Sequence, residues 1–454
     1  MAILHRRDFL AGCATASAAV LASELAACQQ TGSAMVSNRN EPMMSSELAA
    51  AAREAWLYGL MPIENAQARS RVLGRTPANT LFHARKPMTV KTQIVTATNT
   101  DTLYSRAWLD LSKGPVRLGI PRTGSRYASF AMMDMYGTNF AILGTRTTGG
   151  RAQTVTIIGP DAATSDPLAI RSPTRWMWLQ IRMLIENEAD APAVNALQDA
   201  IRLDAPASES PRPRAGRDAS WEQYFSDLQA LLIENPPPVT DLGFFDRIAP
   251  LGLGPTGGFD PARFSDAQVS EIRAGIAAGR AHILGARSGL AANGWLYPKT
   301  DLGDFKQDYL YRAEIAVEGL AALPVVEASY LRPFTEEGHI YLPPGKSWLL
   351  RLGPDELPPV DGFWSLTAYR RTPDGQFMLI DNEIDRYAIR DRTPGLVYGP
   401  DGSLEIVISP RRPSQTANWL PAPADAPLGM LFRAYLPREE LIDGRYRLPA
   451  LRAL

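Results

Sequence analysis

From residue 47 onward the chain alternates between a helical and a two-residue hydrophobic rhythm. Ser46 precedes "ELAAAAREAWLYGLMP", an apolar run with helical spacing, and Gly59 and Pro62 predict its end. Between about 79 and 182 the pattern becomes short alternating runs broken by Gly and Pro. "KTQIVTA", "YASFAMMDMY", "TVTIIG" and "RWMWLQIRMLI" predict strands. Residues 204–220, "DAPASESPRPRAGRDAS", carry no periodicity and read as a linker. Helical spacing then returns: Ser265 with Gln268 matches a capping box, and Val269, Ile272, Ile276 and Ile283 mark one apolar face. A further helix is predicted over 308–323. From 339 strands return in "HIYLP", "SWLLRLG", "FWSLTAYR", "QFMLID", "RYAIR", "SLEIVIS" and "MLFRAYL", with Pro-Asp-Gly turns at 373–375 and 400–402. The expectation is an α+β chain: a β-rich N-terminal domain over 45–203, the linker, a helical connecting segment over 221–330 and a C-terminal β domain over 331–454. Each β domain is expected to be a sandwich or jelly-roll-like.

The first residues follow neither rhythm. In "MAILHRRDFLAGCATASAAVLASELAACQQ", Arg6 and Arg7 followed by Asp8, Phe9 and Leu10 match the twin-arginine export pattern. The apolar core from Leu10 to Ala22 is too short and too rich in Ala, Ser and Thr for a permanent membrane span. "LAAC", ending at Cys28, matches a lipobox; "LAGC", ending at Cys13, leaves no apolar stretch before the cut. This predicts a signal peptide over 1–28, a polar tether over 29–44 and a lipid anchor at Cys28, holding the protein at the periplasmic face of the envelope. The alternative is a soluble periplasmic protein cut after a residue such as Ala34. Cys13 and Cys28 are the only cysteines, so beyond residue 28 there is no disulfide, thiolate nucleophile or Cys-ligated metal.

Charge and motifs remove several classes. A net charge of -1 provides no basic surface for nucleic acid. "GLGPTG" matches the letters of a dinucleotide-binding loop, but it follows a helical segment and does not open a helix. There is no G-x-S-x-G elbow and no P-loop. His83, His282 and His339 form no H-x-x-x-H pair, so a histidine-rich zinc site is not expected.

"NTLFHARKP", "NTDTLYSRAWLDL", "RYASFAMMDMYGTNFAILGTRTTG" and "WMWLQIRML" together resemble the N-terminal member of a two-domain pair, the domain-of-unknown-function families 1254 and 1214. "YRAEIAVEGLAAL", "FWSLTAYR", "DNEIDRYAIRDRT", "DGSLEIVISPRRP" and "NWLPAPADAPLGMLFRAYLP" resemble the C-terminal member. The resemblance implies two β-rich domains joined by helices and an exported bacterial protein. It implies no agreed reaction.

Candidate chemistry is read from polar residues inside apolar strands. "NTDT" cannot be buried in a β domain unless its polar groups find partners. Asn99 and Asp101 either close an Asx-type turn or present Asp101 as a catalytic carboxylate, with Asn99 and Tyr104 holding a polar substrate. His83 and Asp134 are candidate partners, and Asp134 and Tyr136 share a face if "MMDMY" is a strand. Two such carboxylates would serve acid–base hydrolysis or elimination, or bind a hard cation such as calcium; no cofactor is otherwise expected. Arg182, among apolar residues, requires an anion or a carboxylate. Asn382, Arg386, Tyr387, Asn418, Trp419 and Arg433 supply forked donors, amides and aromatic platforms suited to a sugar or carboxylate. They serve equally as interdomain ties. Two functions compete: an enzyme acting on a polar small molecule or glycan in an interdomain cleft, and a non-enzymatic glycan- or ligand-binding envelope lipoprotein.

Overall fold

The structure, a computed structural model, describes residues 34–36, 46–93, 96–414 and 418–454. The signal peptide, Cys28 and most of the tether lie outside the described residues. Ala34–Val36 adds a short antiparallel strand beside Gly289–Ala292, so part of the expected tether joins a sheet.

Each β domain is a two-sheet sandwich. The N-terminal one opposes the order Phe82–His83, β1 (Thr102–Asp110), β3 (Trp176–Leu184), β2 (Ala128–Met133), Asn139–Gly144 to a smaller sheet built on Val116–Ile120 and Gln153–Ile158. Alternation on β1 explains the packing. Leu103, Ala107 and Leu109 point into the sandwich against Val116, Leu118 and Ile157. Tyr104, Arg106 and Trp108 fall on the other face, away from that core. The C-terminal sandwich has β4 (Ala328–Pro333), β6 (Leu428–Pro437) and β5 (Val360–Arg371) at the centre of one sheet, and Leu404–Ser409 with Trp348–Leu352 in the other. Leu331, Trp364, Leu366 and Phe432 meet Leu350, Ile406 and Ile408 between them. The Pro-Asp-Gly turns form as expected, with Gly375 at φ 89° and Gly402 at φ 83°.

Four helices cover the part of the N-terminal sheet that carries Trp108 and Trp178: α1 (Glu47–Leu73), α2 (Trp221–Glu234), α3 (Asp266–Gly285) and α4 (Tyr309–Glu318). The capping box at Ser265 and the buried stripe Ile272, Ile276, Ile283 match the sequence reading. α1 does not stop at Gly59 but runs through Pro62 to Leu73. It is buried all round, so packing outweighs the one hydrogen bond that proline removes. Gly59 is used for contact rather than for a turn: a Cβ there would lie 2.8 Å from Leu228 and Tyr224 of α2. Three other expectations change. The described residues of 91–97 form turns, "HIYLP" contributes only a bridge from Leu342 to Leu428, and Asp134 to Tyr136 form the turn that ends β2. Residues 204–220 are no free linker: Ser208 donates to Asp110, and Arg212, Arg214 and the Ala215 amide all reach Asp227.

The α1–α3 crossing depends on the absence of a side chain. A Cβ on Gly275 would lie 2.1 Å from the Ala49 carbonyl oxygen, and one on Gly279 would lie 2.9 Å from the Trp56 ring. Gly275→Ala is therefore expected to cost about 1–3 kcal/mol despite its better helix propensity, because the helices must separate. Urea denaturation measures this. An unchanged or higher midpoint would mean that the crossing is not the constraint described.

Candidate functional site

The two sandwiches meet face to face, and the segment before β1 is the seam between them. The Phe377 carbonyl accepts from the Ala97 amide at 2.8 Å, and Tyr369 Oη donates to the Thr98 carbonyl at 2.7 Å. Asn99 Oδ1 accepts the Asp101 amide at 2.7 Å, which is the Asx-type turn. Asp101 is fully buried, not at the mouth of a cleft. One carboxylate oxygen accepts from Ser365 Oγ at 2.6 Å and the other from Arg390 Nε at 2.7 Å. Arg390 Nη2 also donates to the carbonyl and hydroxyl of Thr100, each at 3.0 Å. Both oxygens of the proposed base are thus spent on joining the domains.

Beside this tie lies a ladder of polar side chains on the two opposed sheets. Tyr104 pairs across the strands with Arg182, and Arg106 with Gln180. On the facing sheet Arg433 sits between Tyr330 and Ser365. Asn99 Nδ2 spans the gap, donating to Tyr435 Oη at 2.8 Å, Tyr104 Oη at 3.1 Å and Thr102 Oγ1 at 3.2 Å. Arg433 is 2% exposed and donates to Thr367, the Ala97 carbonyl and Tyr369 Oη, each at 2.9 Å. Arg182 is 5% exposed; its Nη2 reaches the Ala321 carbonyl at 2.8 Å and its Nε reaches Tyr104 Oη at 3.4 Å. The guanidinium groups of Arg182 and Arg106 lie 5.3 and 5.8 Å from the Tyr104 ring.

Some polar atoms of this ladder stay open, and no described acid stands beside its arginines. Arg106 Nε, Arg182 Nη1 and Gln180 Oε1 are buried without a hydrogen-bond partner among the described residues. No described carboxylate lies within 4.0 Å of the guanidinium of Arg106, Arg182 or Arg433. Asn99, Tyr104, Arg106, Gln180 and Tyr330 nevertheless keep part of their surface accessible. We take this partly accessible stretch between the sheets as the crevice of the candidate site. Burial alone would push the Tyr104 phenol up; the charge and hydrogen bond of Arg182, with Asn99 and Arg433, outweigh it and hold its pKa below the ordinary tyrosine value. Tyr435, fully buried beside it, is held well above that value by burial and by Tyr330 and Tyr104. Two broader depressions, of about 190 and 270 Å³, lie on the helical layer beside Tyr309 and Trp221 and are separate from this crevice.

Of the residues singled out from sequence, the crevice collects Asn99, Tyr104 and Arg182, with Arg433 behind them. His83, Asp101 and Asp134 do not converge. His83 Nδ1 is 2.7 Å from Ser105 Oγ on the opposite face of β1, and burial, then Arg85, lowers its pKa. Asp134 accepts the amides of Tyr136 and Thr138 at 2.9 Å, and burial raises its carboxyl to about 6 despite those bonds. Tyr136 donates to the Asn235 carbonyl at 2.7 Å. The other C-terminal candidates bond mostly within their own domain, although Tyr387 also meets the Val90 backbone. Asn382 Oδ1 accepts the amides of Ile384 and Arg386, and Arg386 Nη1 donates to the Trp419 carbonyl of its own domain. Tyr387 donates to Asp385, Asn418 bridges Val397 to Glu405, and Trp419 Nε1 donates to the Ser409 carbonyl. Among the described residues no cluster of three or more His, Cys, Asp or Glu side chains could hold a metal ion.

Sequence reasoning missed Arg106, Gln180 and Tyr330. The signal was present: Tyr104 and Arg106 in "TLYSRAW", and Gln180 and Arg182 in "WLQIRML", are two residues apart and so share one sheet face. Ser365 and Arg390, which hold Asp101, carry no comparable mark.

The tie makes a testable claim. Arg390→Ala leaves the Asp101 carboxylate buried without its counter-ion, and a loss of stability on the order of 3 kcal/mol is expected by chemical denaturation. A loss below about 1 kcal/mol, the scale of an exposed pair, would show that the tie does not hold the domains.

The family model described as "Protein of unknown function (DUF1254)" matches residues 78–205, and that described as DUF1214 matches residues 327–439. No curated protein matches the chain. The crystal structure of a Vibrio parahaemolyticus protein is similar at 21% identity with a TM-score of 0.65, over 90% of this chain and 100% of that one. A crystal structure of an uncharacterised Burkholderia cenocepacia protein gives 13% identity and a TM-score of 0.43, over 90% and 94% of the two chains. The Vibrio similarity supports the fold.

Proposed function

Because this chain belongs to the two-domain DUF1254–DUF1214 group, whose descriptions name no activity, we propose its function from the crevice: it binds a small anionic molecule between its two β domains. The observation that carries this reading is the pair Arg106 and Arg182, whose buried donor atoms Nε and Nη1 have no partner, and no carboxylate within 4.0 Å, among the described residues. Two other buried arginines also keep unpartnered nitrogens, but each has an acid beside it: Arg69 pairs with Glu234 at 3.0 Å and Arg312 with Asp241 at 3.2 Å. A buried guanidinium without a counter-ion is costly, and an anionic ligand supplies what the protein leaves out. A carboxylate or phosphate suits the forked donor geometry. Gln180 Oε1 adds an acceptor for a ligand hydroxyl. The ligand is therefore a polar acid, such as an acidic sugar or a small hydroxy acid.

The envelope setting is part of the same proposal. "RRDFL" and "LAAC" support twin-arginine export and lipid attachment at Cys28. No described helix is long and apolar enough to cross a membrane. Metabolic labelling with a fatty acid is expected to mark the wild type and not Cys28→Ser. Equal labelling of both, or of neither, would remove the anchor.

For the crevice, ligand binding to the folded state raises stability by RT ln(1 + [L]/Kd), about 2.7 kcal/mol at a hundredfold excess over Kd. Malonate, citrate or phosphate is expected to raise the melting temperature beyond the effect of chloride at equal ionic strength, and Arg182→Gln should abolish the rise. A response unchanged in Arg182→Gln, or no response to any of these anions, would contradict the anion-binding reading.

A further inference from the structure

We propose that Tyr104 is the proton-transferring residue of this crevice, and that its substrate is a carboxylate bearing an α-hydrogen and an oxygen leaving group on the β-carbon, opened by elimination. The inference rests on the anion-binding reading and adds chemistry to it.

The geometry carries it in three steps. Arg106 and Arg182 flank the Tyr104 ring, so a carboxylate held by their unpartnered donors lies beside that phenol. Neutralising a carboxylate is what makes its α-hydrogen removable, because negative charge builds up on the carboxylate oxygens as the proton leaves. Next, Tyr104 Oη already accepts from Asn99 at 3.1 Å and from Arg182 at 3.4 Å. With both lone pairs engaged by donors, its own proton is directed at a third partner, and the same two donors favour the phenolate once that proton is gone. Finally, the alternatives are occupied or remote. Asp101 has both oxygens bound, His83 faces away, and Tyr435 is fully buried and accepts from Asn99. Among the described residues outlining the crevice only phenols and guanidinium groups titrate, so no carboxylate or imidazole stands ready to activate water for hydrolysis.

The step balances without an oxidant or reductant. The Tyr104 phenolate takes the α-hydrogen as a proton, and the electron pair of that C–H bond becomes the Cα–Cβ π bond. The β C–O bond breaks with its pair on the departing oxygen, which takes a proton back from the Tyr104 hydroxyl. The products are an α,β-unsaturated carboxylate and an alcohol or water, and the phenolate is restored. Groups facing Tyr104 set its pH range: Arg106 and Arg182 on its own sheet, Arg433, Tyr330 and Tyr435 on the facing sheet, and Asp101 at the seam. Because the phenolate is the base, the rate rises with pH as Tyr104 loses its proton, and net positive surroundings place that rise below the ordinary tyrosine range.

A β-oxygenated carboxylate has two sources in this setting, a 4-linked uronide of an envelope glycan or a free hydroxy acid. The test uses one probe of each, 4-linked digalacturonate and malate, with the full mature protein in deuterium oxide. Nuclear magnetic resonance follows α-deuteration and the vinylic product, and malonate-induced stabilisation follows binding. Reaction of the disaccharide alone assigns the glycan source, and reaction of malate alone assigns the free acid. In either case Tyr104→Phe should lower the rate at least about 100-fold while keeping the malonate response, and Arg182→Gln should lose both. If malonate stabilises the wild type but neither probe is deuterated or opened, or if Tyr104→Phe keeps its rate, the elimination is wrong and anion binding stands. If malonate does not stabilise the wild type, the underlying reading fails first.

Discussion

The interdomain seam is governed by the cost of placing guanidinium groups between two packed sheets. Removing a charge from water costs several kcal/mol, so each buried arginine has to be matched by a counter-ion or by several acceptors. Arg390 meets that condition with Asp101, and Arg433 meets it with two hydroxyls and a carbonyl. Arg182 meets it in part, through one carbonyl and one phenol. Arg106 finds no hydrogen bond for its buried Nε among the described residues. The degree of matching falls along the ladder towards the residues that keep accessible surface. That gradient separates the part of the seam that holds the domains together from the part available to a ligand.

Period-two alternation produces both roles from the same strands. Leu103, Ala107 and Leu109 fill the N-terminal sandwich, whereas Tyr104 and Arg106 between them face the partner domain. The C-terminal sheet repeats the arrangement, with Trp364 and Leu366 inward and Ser365 outward at Asp101. Next to the ladder the seam turns apolar. Phe363 stacks on Tyr435 at 4.2 Å and Tyr127 meets both rings edge-on, which fixes the spacing of the sheets beside the polar side chains. A rigid apolar contact beside unmatched donors is the arrangement expected of a preorganised site.

How far the sequence disclosed this depends on the range of the interactions involved. The strands β2, β3, β5 and β6, the capping box at Ser265 and the Pro-Asp-Gly turns are local signals and were legible, whereas β1 and β4 were not read as strands. α1 was read too short because Gly59 and Pro62 act as stops only where tertiary contacts are weak, and here α2 and α3 surround the helix. Asn99, Tyr104 and Arg182 stood out as polar residues in apolar strands, and the structure gathers them. Asp101 stood out for the same reason, but its partners Ser365 and Arg390 lie 264 and 289 residues away. No local pattern could tell a buried tie from a catalytic base. Arg106 and Gln180 were hidden differently: the strand of Gln180 was identified and that of Arg106 was not, and their shared face mattered only once a second sheet covered it.

The central claim is that Arg106 and Arg182 leave donors directed at a ligand anion, and anion-soaked crystals test it most directly. Anomalous diffraction from crystals soaked in bromide locates every ordered ion. A bromide peak is expected between the β1 and β3 side chains, in contact with Arg182 Nη1 and Arg106 Nε and beside the Tyr104 ring. Bromide found only at surface arginines, with the crevice closed or Arg106 turned out to a carboxylate, would contradict it.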